Sequence, residues 1–406
     1  IIAYDDAEFA QKSYDLHLQT YKLASELNDK EGIVRSLSPM GDFRGSFRLI
    51  TIEEAKAYAK IALDTAIETG NDELIAEAKL FLYYAGSTME MGEELAEFLR
   101  QRNDLVRLKE ILFLLTFRNI HIGNFRKAVE IANTNIQIAS EISSPPVMYP
   151  TQRGYALIRL GDYKSAWESL QQEIADPSHK FGQMIKNYGV GVFYVEMSDY
   201  EKAKEILENV VQQSIELKRA WVEGTARFQL ASAIIDSIKY GKCNISELDQ
   251  LLLPELEIYS LSRSGFVVAS EIEMLRGNFD KALELSEQGY MKADQFDGRY
   301  IKVSHIELSA RILSKMGRLD EVLDRIDEGI KTSAEMGYLP MLWRLHATKA
   351  QALEKLSRLD ESKQEYNVSA EIIKRLADNI PDEGFRQSFM SNPLITIIFN
   401  KSNERG

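Results

Sequence analysis

Apolar residues in this chain recur three and four positions apart. After Tyr200 they stand at Ile206, Val210, Val211 and Ile215, and after Leu319 at Val322, Leu323 and Ile326. That spacing lays them along one face of an α-helix. No run of alternating apolar and polar residues between turn dipeptides suggests strands. The pattern predicts helices throughout, joined by short loops. Prolines fall mostly at the seams, at Pro145, Pro146, Pro150, Pro177, Pro254, Pro340 and Pro381. Near the start, Tyr14 to Leu27 reads as a helix ending at Asn28-Asp29. Thr51-Ile52-Glu53-Glu54 reads as a capping box opening a helix through Ala66, and Asn71-Asp72-Glu73 opens another. The stretch from Asp236 to Pro254 fits the pattern poorly.

One phrase recurs: a small residue, a polar one, an aromatic or Leu, and a small or short residue three further on. It occurs as Gly123-Asn124-Phe125 with Ala128, Gly161-Asp162-Tyr163 with Ala166, and Ser198-Asp199-Tyr200 with Ala203. It returns as Gly277-Asn278-Phe279 with Ala282, Gly317-Arg318-Leu319 with Val322, and Ser357-Arg358-Leu359 with Ser362; Gly41-Asp42-Phe43 is an early echo. From 198 to 277 the chain spans two periods and hides one degenerate copy. Seven residues before each anchor stands Thr116, Gly154, Gly191, Ser270, Ala310 or Ala350. A helical hairpin explains these positions. The glycine or serine ends the first helix, and the polar residue caps the second. The small residues let two helices cross closely, and the aromatic fills the wedge at the closed end.

At these residues the chain resembles a tetratricopeptide repeat array, stretched to about 40 residues per repeat from the usual ~34. The resemblance implies an all-α fold, a right-handed superhelical solenoid of antiparallel helix pairs over residues 1–378. Residues 379–406 would follow as a capping helix and tail. The loops Glu26-Leu27-Asn28-Asp29 and Glu68-Thr69-Gly70-Asn71-Asp72, and the ending from Leu376 to Phe389, are similar to the C-terminal sensor arrays of bacterial STAND-type signalling ATPases and LuxR-like regulators. A solenoid's last helix exposes an apolar face, so Phe385, Phe389, Leu394, Ile395, Ile397, Ile398 and Phe399 are expected to fold back as a cap.

Composition narrows the function. Apolar residues make up 45% and charged residues 27%, which excludes a largely disordered chain. The net charge of -13 makes nucleic acid and anionic membranes poor partners. The most apolar stretch, Ile111 to Phe117, is too short to cross a bilayer. A lone cysteine, Cys243, permits no intrachain disulfide and points to a reducing cytoplasm. The opening Ile-Ile-Ala-Tyr has neither a methionine nor a signal segment, so the chain reads as part of a longer protein.

Recognisable catalytic chemistry is missing. No P-loop occurs, and Gly189-Val190-Gly191 reads as helix packing. The five histidines form no His-Glu-x-x-His pair; His305 and His346 lie near register in adjacent repeats, with Glu307 as the nearest third ligand, and read as surface or interfacial residues. Cys243 has no triad around it, and Asn244-Ile245-Ser246 is a common triplet. No enzyme activity, metal or cofactor is expected.

Function is then expected on the concave groove, which the first helices line in the resembled repeat. Positions three, six, ten and thirteen before each anchor would face inward. The candidate ligand-binding residues are Phe113, Phe117, Tyr155 and Tyr188 in an aromatic N-terminal half, with Glu271, Glu307, Arg311 and Gln351 in a charged C-terminal half. Such a gradient suits an extended peptide or protein segment. Two roles compete: the sensor part of a larger signalling protein with an upstream effector module, or a freestanding scaffold assembling a complex.

Overall fold

In the computed structural model, residues 7–40, 49–86, 88–143, 148–172, 179–239, 248, 265–295 and 297–403 are described. Among these there are twenty helices and no strand. The chain begins with α1 (Ala7–Glu26), α2 (Lys30–Leu37), α3 (Ile52–Thr69), α4 (Asp72–Tyr84), α5 (Met89–Gln101), α6 (Leu105–His121) and α7 (Phe125–Glu141). It continues through α8 (Tyr149–Leu160), α9 (Tyr163–Gln171), α10 (Lys180–Glu196), α11 (Tyr200–Glu216), α12 (Ala220–Lys239) and α13 (Gly265–Leu275). Last come α14 (Phe279–Gln295), α15 (Arg299–Met316), α16 (Leu319–Met336), α17 (Leu339–Lys355), α18 (Leu359–Ala377), α19 (Glu383–Met390) and α20 (Pro393–Asn403). Gly41-Asp42-Phe43, Cys243, Asn244-Ile245-Ser246 and most of the stretch from Asp236 to Pro254 lie outside the described residues.

The local signals act as the sequence predicts at most ends. Thr51 and Glu54 form the reciprocal capping box, at 2.8 and 3.2 Å. At the hairpin turns, Gly123, Gly161, Gly277 and Gly317 take left-handed backbone, and so do Ser198 and Ser357. Asp162 and Asp199 cap the following helices, accepting from Ser165 N and Lys202 N. Asn124, Arg318 and Arg358 make no such bond. Both arginines instead pair with the glutamate three residues on, Glu321 and Glu361. The small crossing residues are buried: Gly154 lies against Leu170 and Gly191 against Leu207. Where the small residue is a serine, its hydroxyl donates across the hairpin, as Ser270 does to Ala282 O at 2.6 Å and Ser362 to Ala350 O at 2.8 Å.

Stacking these pairs builds a right-handed superhelical solenoid that bends until it meets itself. The first helices α6, α8, α10, α12, α13, α15 and α17 pack side by side in that order; α17 then packs on α8, and α15 on α6. Phe125 meets Tyr300 and Tyr338 edge-on, with ring centroids 6.1 and 5.6 Å apart. Gly161 sits under Leu339 and Leu376. Lys164 N donates to Asn379 Oδ1 at 3.0 Å.

The closing pair α19–α20 completes the seam. Phe389, Ile395 and Ile398 are buried in one cluster with Tyr366 and Ile373 of α18 and with Tyr163 and Phe193. Phe385 lies 4.8 Å from the Trp167 ring and 5.2 Å from Phe193. These helices therefore cover the last repeat and also bridge to α9 and α10, while Ile397 departs from the expectation and is 45% exposed. Seam contact also explains the aromatic anchors. Phe125 and Tyr163, which the later repeats cover, are fully buried, whereas Leu359 at the equivalent place is 63% exposed. The wedge of its own hairpin is not enough to bury this residue.

Two glycines separate closure from turn geometry. Gly161 and Gly317 have φ of +76° and +78°, but a Cβ at 161 would strike Leu376, whereas none at 317 meets an atom within 4 Å. Gly317→Ala should cost about 1 kcal/mol from the left-handed backbone alone. Gly161→Ala should cost about 1–3 kcal/mol more through overpacking. Urea titration of both variants checks this; equal losses would mean that the seam is not tightly packed there.

Candidate functional site

Two polar clusters form where the first helices pack side by side. The first centres on α8, where Tyr155 and Arg159, one turn apart, share a face. The Arg159 guanidinium donates from Nη2 to the Tyr155 hydroxyl at 2.7 Å and from Nη1 to the Tyr338 hydroxyl at 3.4 Å. Its carbon lies 4.6 Å from the Tyr155 ring centre, 5.8 Å from Tyr338 and 6.0 Å from Tyr300, so three π faces surround the cation. Tyr188 of α10 borders the group and reaches Thr225 and Gln229 of α12. Burial pushes the hydroxyls of Tyr188, Tyr300 and Tyr338 above the usual phenol range, so each stays protonated at neutral pH. Tyr155, Tyr188 and Tyr300 are only half-buried, so the cluster is not sealed from solvent.

The second cluster runs across α12, α13, α15 and α17. Arg311 Nε donates to both oxygens of Glu307, at 2.9 and 3.0 Å, and its Nη2 pairs with Glu271. Lys239 bridges Asp236 at 2.9 Å and Glu271 at 3.3 Å, and Thr348 donates to Glu307 at 3.2 Å. Burial alone would raise the Glu271 carboxyl; the Lys239 ammonium and Arg311 guanidinium overrule it and hold it at about 2. Between the two clusters, Glu196 accepts from the Tyr163 hydroxyl at 3.0 Å and pairs with Arg344 at 3.6 Å.

The structure brings Tyr155 and Tyr188 together, and it brings Glu271, Glu307 and Arg311 together. The latter three satisfy one another, and Glu271 and Glu307 are each only 8% exposed. Phe113 lies apart, half-buried and edge-on to Tyr149 at 6.1 Å, and Phe117 is 39% exposed against the His121 ring at 4.2 Å. Gln351 is half-buried on α17. The two histidines face different partners. His305 is fully buried with Nδ1 3.3 Å from Ser286 Oγ, and His346 Nδ1 lies 2.5 Å from Glu365. Arg159 and Tyr338 are the residues that the spacing rule misses. Arg159 stands two places before Gly161 and looks like an ordinary cation in a helix's last turn.

No family model and no curated protein sequence matches the chain. Its fold resembles solved structures. Against the APC/C hetero-tetramer Cut9-Hcn1 the TM-score is 0.56 at 14% identity, covering 98% of this chain and 76% of that one. A Rap protein complexed with Competence and Sporulation Factor gives 0.40 at 12% identity, covering 94% and 99%. The TPR domain of P58(IPK) gives 0.29 at 12% identity, covering 97% and 99%. At such identities the likeness is one of fold alone, and the first comparison carries it.

The charged cluster should act as a structural tie. Arg311→Ala leaves buried carboxylates short of a cation and should cost about 3–5 kcal/mol at pH 7. Glu271 has its folded value held below its unfolded one, so its share is complete above about pH 4.5 and is lost as pH falls toward 2. The gap between wild type and variant should therefore shrink across that window. Denaturant titration at pH 7, 4 and 3 measures it, and a gap that stays constant would rule out Glu271 as the partner that matters.

Proposed function

We propose that the chain is a non-catalytic array that binds an extended peptide or protein segment along its inner wall. In this reading it is the regulatory part of a larger signalling protein and acts on an effector module in the same polypeptide, with residues 379–406 as its cap. One observation carries the proposal: Tyr155, Tyr188 and Tyr300 gather half-buried rings around Arg159, and burial keeps the hydroxyls of Tyr188 and Tyr300 protonated. Rigid aromatic surface with a polar tip suits a binding face, because it offers contact area at little cost in side-chain entropy. The charged cluster is engaged with itself, so the tyrosines, not the carboxylates, would make first contact.

A second reading, the freestanding scaffold, draws on α1. Leu16 and Leu23, with Leu27 just beyond the helix, are 62%, 56% and 70% exposed. Such a row suits contact with another chain.

The test is selection of displayed dodecapeptides on the intact chain, followed by fluorescence anisotropy on the winners. Tyr155→Ala and Tyr188→Ala should each weaken binding by about tenfold or more, the size of an aromatic hot spot, while each variant still melts cooperatively. If neither substitution matters and Leu16→Glu with Leu23→Glu abolishes binding, the site is the α1 face and the scaffold reading replaces this one.

A further inference from the structure

Resting on the inner-wall reading above, we infer that Arg159, with the hydroxyls of Tyr155 and Tyr338, is a carboxylate-binding subsite that anchors an acidic group of the bound peptide. A guanidinium stays charged in a protein, and buried charge is normally paired. Four other cations on the first helices obey that rule. Arg311 has Glu271 and Glu307, Lys239 has Asp236 and Glu271, Arg227 has Glu223, and Arg344 has Glu196. Arg159 is 9% exposed and has no carboxylate among the described residues. Its two hydrogen bonds go to phenol oxygens, one of them long, and Nε has no partner at all.

The donor set is what a carboxylate requires. Five guanidinium N–H groups are available and two are used, so the planar fork keeps free donors. Each tyrosine oxygen that accepts from Arg159 retains its own proton to donate. An oxygen pair arriving from the inner space would thus meet N–H and O–H groups already held in place by packing. The subsite fits a monoanion better than a phosphate. It supplies a single cation, and the wall beyond it carries Glu196, Asp236, Glu271 and Glu307. The carboxylate can come from a peptide's C-terminus or from an Asp or Glu side chain, and both offer the same two oxygens.

Three synthetic pools of random dodecapeptides test this: one with a free C-terminus but no Asp or Glu, one amidated and containing both, and one amidated and containing neither. Each is equilibrated with the intact chain, and retained peptide is quantified by mass spectrometry. Wild type should retain at least one carboxylate-bearing pool about tenfold over the third. Which pool wins identifies a terminal or a side-chain carboxylate. Arg159→Gln should hold all three pools equally, and Arg159→Lys, which keeps the charge without the fork, should fall between. Should circular dichroism show Arg159→Gln unfolded, Tyr155→Phe serves instead, and a drop of about threefold in the preference is expected from loss of one hydroxyl. Equal retention of the three pools by wild type would overturn the subsite while leaving the inner-wall reading standing, with Arg159 a bracket for the three rings. Retention of no pool would overturn both.

Discussion

Contact between α6–α10 and α15–α20 sets the shape of everything else in this molecule. A repeat array that touches only its neighbours leaves an apolar face at each end. Here Phe125 and Tyr163 supply one side of a shared core, and Tyr300, Tyr338 and Phe389 supply the other. Burying each such ring is worth about 1.5–3 kcal/mol, so a handful outweighs any exposed ion pair on the outer helices. The same contact requires a turn without a side chain at Gly123 and Gly161, which lie under Met336 and Leu376.

Curvature then dictates the chemistry of the inner wall. As the row of first helices closes, their inner faces crowd, and charges there leave water. Glu271, Glu307, Arg311 and Lys239 respond by pairing across α12, α13 and α15, which ties three successive helices together. Arg159 lies on the same wall at the seam, where the neighbours are aromatic rather than acidic. Its cage of phenols makes the cation tolerable without neutralising it. The first helices thus hold a self-satisfied electrostatic network and, in Arg159, a buried cation with no carboxylate among the described residues.

Much of the fold was legible because hairpins are local. The phrase around each anchor lies within about twenty residues, and the helix pairs follow from it. The spacing also groups residues that meet in space, Tyr155 with Tyr188 and Glu271 with Glu307 and Arg311. Pairing was legible only in part: Glu307 lies one helical turn from Arg311, but its other partner, Glu271, lies forty residues away on α13 and no spacing rule specifies it. Closure left no trace either. Met336 above Gly123 and Asn379 beside Lys164 are pairs more than 200 positions apart in sequence. Arg159 was hidden for a simpler reason: a basic residue in a helix's last turn has a sufficient local explanation, and only tertiary packing overrides it.

The hydrogen bond from Arg159 to Tyr338 spans 179 positions of sequence, and that from Asn392 to Ser198 spans 194. Contacts of this range change how the chain must fold. An ordinary repeat array can nucleate anywhere and zip from one unit to the next. This one must also close a loop of nearly two hundred residues, whose entropic cost is met only when the late contacts form. Early repeats thus wait, with Phe125 and Tyr163 uncovered, for residues made much later. The tyrosine cage has one wall from α8 and another from residues 300 and 338, so it exists only after that closure. Closure of the array and appearance of the cage are one event.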